Sequence, residues 1–430
     1  MARIYEELKE LDKRHFFHPT TSIKEQQANG PRFVFTKGEG PYLYTTEGEK
    51  ILDGMSSLWN VNVGHGRREL AQAAAAQMEA LAFSSCFSTY SNEPAIRLAN
   101  KLSDLAPVDL SAVFFTSGGS ESNDSAYKLA RHYWILKGKP EKRKIISREK
   151  SYHGVAMGAT SATGLKPFRD FTNSLAPDFL HADQHSAAKL WELIVKEGPE
   201  TIAAFIAEPV QGAGGVHLPE DNYFREVREM CDEYDILFIT DEVITGFGRT
   251  GKWFGIEHFG VVPDMMCFAK GITSGYIQLG GVMISAKLHE DFKQLSEGTL
   301  MHGYTYSGHA AACAVALRNL QIIEEEGLID NAVKRGTELL EGLRTLEGKR
   351  KSIKVVKGLG LMAGIEFGGT AAMSPAVVEE ASKRGLLCRA VVAEGQDIVV
   401  MAPPLSIAKS HVEVILSILD NSIQAVEEQL

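Results

Sequence analysis

Long apolar runs are missing from this chain. No window reaches the roughly 18 uncharged apolar residues that a membrane helix requires. The N-terminus, MARIYEELKELDKRHFFHP, is charged from its third residue and lacks the apolar stretch of a signal peptide. Cysteine is scarce and unpatterned. Cys86, Cys231, Cys267, Cys313 and Cys388 are odd in number and show no C-x-x-C spacing, which argues for reduced thiols rather than a disulfide framework. Basic charge is short too: 45 Lys and Arg face 55 Asp and Glu, a net charge of −10, so no nucleic-acid-binding face is expected. Internal repeats and low-complexity linkers are absent. What remains is an enzyme-sized protein expected in the cytoplasm, with neither membrane nor nucleic acid as a partner.

With 430 residues, 44% hydrophobic and 23% charged, the chain exceeds one ordinary core and has the composition of a globular protein. Short apolar runs (AVFFT, KIIS, IAAFIAE, ILFITDE, MMCFAK, GGVMIS) alternate with amphipathic stretches such as SESNDSAYKLARHYWILKG and DNYFREVREMCDEYD. Strands apolar on both faces, alternating with helices, imply an α/β unit with a mostly parallel sheet covered by helices. After about Asn319 the character changes to long charged helices and short strands. The expected organisation is a large domain over residues 55–319 and a smaller α+β domain formed by residues 1–54 and 320–430.

In a doubly wound sheet, ligands gather beyond the carboxyl ends of the strands, so polar residues that end apolar runs are informative. AVFFT leads into Ser117-Gly118-Gly119-Ser120, IAAFIA into Glu208, ILFIT into Asp241-Glu242, and MMCFA into Lys270. The turn TSGGSES directly precedes a helical pattern. Free amides at a helix N-terminus bind phosphate well, although a plain turn with Ser120 as N-cap explains the same letters. It is not a Walker A loop, because the Gly-Lys-Ser/Thr is missing. Taken singly, Asp241 reads as a structural acid and Lys270 as a snorkelling lysine. Together, a phosphate cradle, a buried acid and a lysine at neighbouring strand ends match the needs of pyridoxal 5'-phosphate: a lysine to form the Schiff base, an acid for the pyridinium nitrogen and a loop for the phosphate. A lysine desolvated among apolar residues also has a lowered pKa, which favours the neutral amine.

DEVITGFGRTGKWFG followed by FAKGITSGY resembles the class III pyridoxal-phosphate-dependent aminotransferases of fold type I, and so do TSGGSESND, SYHG, AEPVQGAGG, HGYTYSGHAAACA and GLGLMAGIEF, in the family's order from about Met55 onward. The resemblance implies that Lys270 carries the cofactor and Asp241 pairs with its ring nitrogen, both as catalytic residues. Ser117, Gly118 and Gly119 would hold the phosphate. Tyr152 and Val243 would pack on the two ring faces, and Thr305 resembles a threonine that reaches the phosphate of a neighbouring subunit. A homodimer with shared active sites follows, with tetramers an open possibility. Three positions depart from the family pattern. Ile244 replaces a frequent glutamine, which weighs against γ-aminobutyrate and ornithine as substrates, and Gln278 and Ala310 stand where prolines are frequent.

On the substrate side, Trp59 resembles a pocket tryptophan of ω-transaminases, and Phe87 resembles another pocket aromatic. Arg389 resembles the family's substrate-binding arginine, suited to grip a carboxylate through two parallel hydrogen bonds. It is expected to swing in for a keto acid and out for an uncharged amine, pairing with Glu208 when out. Glu208 therefore belongs with the cofactor-site residues. The reading is an ω-transaminase that moves an amino group from an amine or ω-amino acid to pyruvate by ping-pong chemistry. Rivals on the same fold act on β-alanine, taurine, a diamine or a biotin-pathway substrate, or run decarboxylation, epimerisation or aminomutase chemistry. No metal site is expected, since His153, His302 and His309 lack ligand spacing.

Overall fold

The computed structural model describes residues 2–429. Near the N-terminus three strands, Phe35–Glu39 (β1), Tyr42–Thr45 (β2) and Lys50–Asp53 (β3), form an antiparallel meander. The central strands are Leu110–Thr116 (β4), Lys144–Arg148 (β5), Phe179–Ala182 (β6), Ile202–Ala207 (β7), Leu237–Asp241 (β8), Met265–Phe268 (β9) and Gly280–Ser285 (β10). They make one seven-stranded sheet in the order β4-β10-β9-β8-β7-β5-β6. From β6 to β9 every pairing is parallel, while β10 runs antiparallel to both its neighbours. Every residue of β7, β8, β9 and β10 is buried, as a sheet covered on both faces requires.

The reversed β10 has a consequence for the site. Because β4 and β9 both oppose it, these two point the same way, so the carboxyl ends of β4, β8 and β9 share one edge. Register confirms the alignment: Gly280 pairs with Thr116, Gly281 with Phe268, and Asp241 with Cys267. Helices Arg68–Leu81 (α1), Glu93–Leu105 (α2), Gly119–Leu136 (α3) and Ala310–Glu325 (α4) pack around this sheet and one another.

A second sheet combines Ile353–Leu359 (β11), Met362–Phe367 (β12), Arg389–Val391 (β14) and Ile398–Met401 (β15), while Leu386–Leu387 (β13) pairs in parallel with β3. Leu386 lies opposite Leu52 and Leu387 opposite Asp53, so the two ends of the chain meet in one sheet. Arg249 joins these regions. Its guanidinium is fully buried and donates to the carbonyls of Leu361 and Pro403, to Ser56 Oγ (3.0 Å) and to Asn62 Oδ1 (2.8 Å). Among the described residues, no helix is long and apolar enough to cross a membrane.

Candidate active site

At the shared strand edge lies a cavity of about 390 Å³. It is lined by Ser117, Gly118 and Gly119 after β4, Tyr152 and His153 after β5, Glu208 after β7, Asp241, Val243 and Ile244 at and after β8, and Lys270 after β9. Residues separated by more than 150 positions in sequence thus converge because each follows a parallel strand.

Gly118 is the N-cap of α3, and no side chain caps that helix. Its first amides therefore remain available, and a Cβ on Gly118 would meet no atom within 4 Å. Gly119 is different: a Cβ there would come within 2.9 Å of Val243 Cγ1, so this glycine lets Val243 pack beneath the loop. Ser120 does not cap the helix; its hydroxyl accepts from Val155 N at 3.0 Å and ties the loop to the segment after Tyr152.

Asp241 ends β8 and is buried. Its Oδ2 accepts from His153 Nδ1 and from Asn123 Nδ2, both at 2.8 Å, and its Oδ1 accepts from Val243 N at 3.0 Å. Glu242, next in sequence, faces away, as alternation along a strand demands. It accepts from the amides of Gly255 and Ile256, each at 2.8 Å, and burial pushes its carboxyl up to about 7.

Lys270 is partly buried, and desolvation is the main cause of its lowered pKa; the charges of Asp241 and Glu208 act in the opposite sense, and the Arg389 guanidinium lowers it further. Its backbone is left-handed, at φ +48°, a conformation that strains an L residue. Glu208 also sits at the cavity wall, where burial raises its pKa. Its two carboxylate oxygens accept from Tyr152 N and Gly212 N, both at 2.9 Å. The expected pairing of Glu208 with Arg389 is therefore absent: backbone amides hold this carboxylate.

Trp59, Phe87 and Arg389 do not line this cavity, and nor does Thr305, which is expected at a neighbouring subunit's site. Trp59 is only 2% exposed and packs with Met55, Ile244 and Val391 behind the wall. Positive φ angles at Ser56, Ser57 and Trp59 turn the ring inward, and Asn60 alone from that loop reaches the cavity. Phe87 is 49% exposed and borders a separate groove of about 850 Å³ with Leu300, Met301 and His302. Thr305 is exposed and outside the cavity. Arg389 lies on β14 and lines a neighbouring cavity of about 620 Å³ with Phe168 and Phe171. The two cavities adjoin, because the Phe168 ring meets Tyr152 edge-on at 5.2 Å. Gln278, one of the departures from the family pattern, lines the first cavity, and nothing in the structure explains its effect.

Two residues of the site escaped the sequence reading. Asn123 lies one helical turn beyond Gly119 on the same face of α3, a spacing that could have identified it. His153, next to Tyr152, has a structural or substrate-lining role on the sequence alone, and its pairing with Asp241 is not legible there.

Residues 23–423 match the aminotransferase class-III family. The chain belongs to that family. It is 50% identical to a transaminase from the marine bacterium Virgibacillus, with a TM-score of 0.97 over 98% of this chain and 99% of that one. It is 36% identical to the omega transaminase of Pseudomonas jessenii in complex with PMP, with a TM-score of 0.94 over 98% of both chains. It is also 38% identical to the putrescine–pyruvate aminotransferase of Pseudomonas aeruginosa over 97% of this chain and 96% of that protein. Class III aminotransferases use pyridoxal 5'-phosphate. The residues present suit it: an uncapped helix N-terminus with room above Gly118, a carboxylate held by three donors, and a desolvated lysine surround one cavity.

Proposed function

We propose that this aminotransferase moves an amino group from an ω-amine or ω-amino acid to pyruvate, giving alanine. The observation that carries the reading is the convergence of Lys270, Asp241 and the Ser117–Gly119 loop on one cavity, in a chain similar over nearly its whole length to a putrescine–pyruvate aminotransferase. Ser117, Gly118 and Gly119 would hold the cofactor's phosphate, and Tyr152 and Val243 its ring faces. When bound, the cofactor supplies an electron-withdrawing ring that accepts the electrons left when the donor carbon loses its proton. Asp241, braced by Asn123 and His153, would hold the proton on the ring nitrogen. Lys270 Nζ, whose pKa desolvation lowers, would take the proton from the donor carbon and return it.

The test is a half-reaction. Cofactor-loaded protein is mixed with a panel of amines that includes putrescine, β-alanine, taurine and an arylalkylamine, without keto acid. The absorbance of the lysine-bound cofactor should fall with the preferred donor and return when pyruvate is added. An absorbance that never returns with pyruvate would point to decarboxylase, epimerase or aminomutase chemistry instead.

Arg389 is the proposed carboxylate clamp. It has no carboxylate partner among the described residues, and its cavity adjoins the Tyr152 wall. Arg389→Ala should raise the KM for pyruvate about 10- to 100-fold, the scale of lost hydrogen bonds to a charged group. The KM for an uncharged amine should change much less, and equal changes would refute the role.

Residues 55–319 are proposed as the cofactor-binding domain, with 1–54 and 320–430 forming the smaller one. The protein is further proposed to act in the cytoplasm as a homodimer with shared sites. Support comes from Phe87 and Thr305, which lie away from their own cavity, and from the exposed Tyr90, Leu300 and Met301 around the second groove. A contiguous apolar patch of this kind commonly marks an interface.

A further inference from the structure

The backbone at Lys270 is strained, and something must hold it. Lys270, Gly271 and Ile272 form a single 3-10 turn, with Lys270 at φ +48°. Within the turn, the bonds Ile272 N to Ala269 O and Thr273 N to Lys270 O are each 3.2 Å, at the long end for such bonds. Left-handed residues of this kind persist only where the surroundings over-determine them.

Those surroundings include two asparagines. On one side Gly271 abuts Asn62: a Cβ on Gly271 would lie 2.5 Å from Asn62 Nδ2. Asn62 is itself fixed, accepting from Arg249 Nη2 at 2.8 Å and donating to Phe247 O at 2.9 Å. On the other side Asn319, fully buried on α4, donates from Nδ2 to Gly271 O and to Ile272 O, each at 2.9 Å. Both partners are carbonyls and can only accept, so the amide nitrogen must face the turn. Among the described residues Asn319 Oδ1 has no hydrogen-bond partner, so the amide's hydrogen bonds there are those two donations. Helix α4 packs against α1 and α2, which makes it a firm anchor.

We propose that Asn319 is a positioning residue for Lys270: by fixing the two carbonyls that follow the lysine, it holds the strained turn and aims Nζ into the cavity. The inference rests on the proposed role of Lys270. Asn319 touches neither substrate nor cofactor, and it should affect how fast the amine reacts rather than how tightly ligands bind. A misplacement of about 1 Å is enough to slow a reaction roughly 100-fold.

The full-length chain is depleted of cofactor and reloaded with pyridoxal 5'-phosphate while the absorbance is followed. During reloading Lys270 Nζ adds to the aldehyde carbon, and the aldehyde oxygen leaves as water carrying both amine protons. In parallel, affinity is measured for the 4'-deoxy analogue, which has the phosphate and ring but no aldehyde. Asn319→Leu, which removes both donations, should slow covalent attachment about 10- to 100-fold with analogue affinity within about threefold of the parent. Asn319→Asp should restore part of the rate at low pH, because a buried carboxyl kept neutral retains one O–H donor, and its rate relative to the parent should fall as the pH rises. Unchanged attachment rates, or attachment and analogue affinity weakened together, would overturn the inference. Should Asn319→Leu fail to fold, the pH dependence of Asn319→Asp decides: a ratio to the parent that does not vary with pH overturns it. Failure of the underlying reading would look different. Borohydride reduction of the loaded parent protein would then leave Lys270 unlabelled.

Discussion

Replacing Lys270 by alanine is expected to lower transamination by about 10⁴-fold or more, because one side chain supplies both the nucleophile and the proton carrier. The side chain it removes is partly desolvated and lines the cavity. The folded structure should survive, since nothing packs on Nζ as a hydrogen-bond acceptor that would be left unsatisfied among the described residues. Single-turnover absorbance with a saturating amine measures the effect. Equilibrium dialysis should find the cofactor still bound, held by the Ser117–Gly119 loop and Asp241 but not covalently. A variant that retained even a few per cent of the parental rate would remove Lys270 from the chemistry.

The second large effect is expected at Asp241. Asp241→Asn keeps the shape but removes the charge: with its oxygen kept where His153 Nδ1 and Asn123 Nδ2 donate, its NH2 group replaces Oδ1 and faces the Val243 amide donor. A buried donor left without a partner costs about 1–3 kcal/mol, so a modest loss of thermal stability should accompany the change. The kinetic effect should be larger. Losing the carboxylate that would keep the cofactor's ring nitrogen protonated should lower turnover by about 10²–10³-fold. Because the charge acts during the reaction rather than in binding, the loss should fall on kcat with KM for pyruvate little changed. A variant with intact kcat would mean that Asp241 serves only the fold, through Val243 N and the brace from α3.

The strand ends were legible because both signals are local. An apolar run buried on both faces has a distinctive composition, and a polar residue at its end has few structural reasons to be there. That logic located Ser117, Glu208, Asp241 and Lys270 before any contact was known. In the glycine-rich stretch GLGLMAG, Gly360 turns β11 into β12. Local signals did not distinguish Asp241 from Glu242. Only the twist and pleat of β8, fixed by its neighbours β7 and β9, turn the first carboxylate to the cavity and the second to the loop at Gly255.

Side-chain destination was harder to read than strand position. Trp59 looked like a pocket wall, yet the left-handed backbone around it drives the ring into the core. Phe87 and Arg389 carry the right chemistry in neighbouring spaces, each set by where its own segment packs. Asn319 was visible only as the point where composition changes. Its partners lie 47 and 48 positions earlier, and no local pattern couples them.

By itself, then, the sequence determined the fold class and the groups that end the strands, since periodicity and strand-terminal polarity are properties of short windows, while the family rested on the resemblance of its ordered motifs. The tertiary structure alone decided which of those groups face one cavity, which side chains brace Asp241 and Lys270, and how the two chain ends join through β3 and β13. The reason is physical: orientation and bracing depend on contacts between residues far apart in the chain, and these exist only after the sheet has paired and the helices have packed against it.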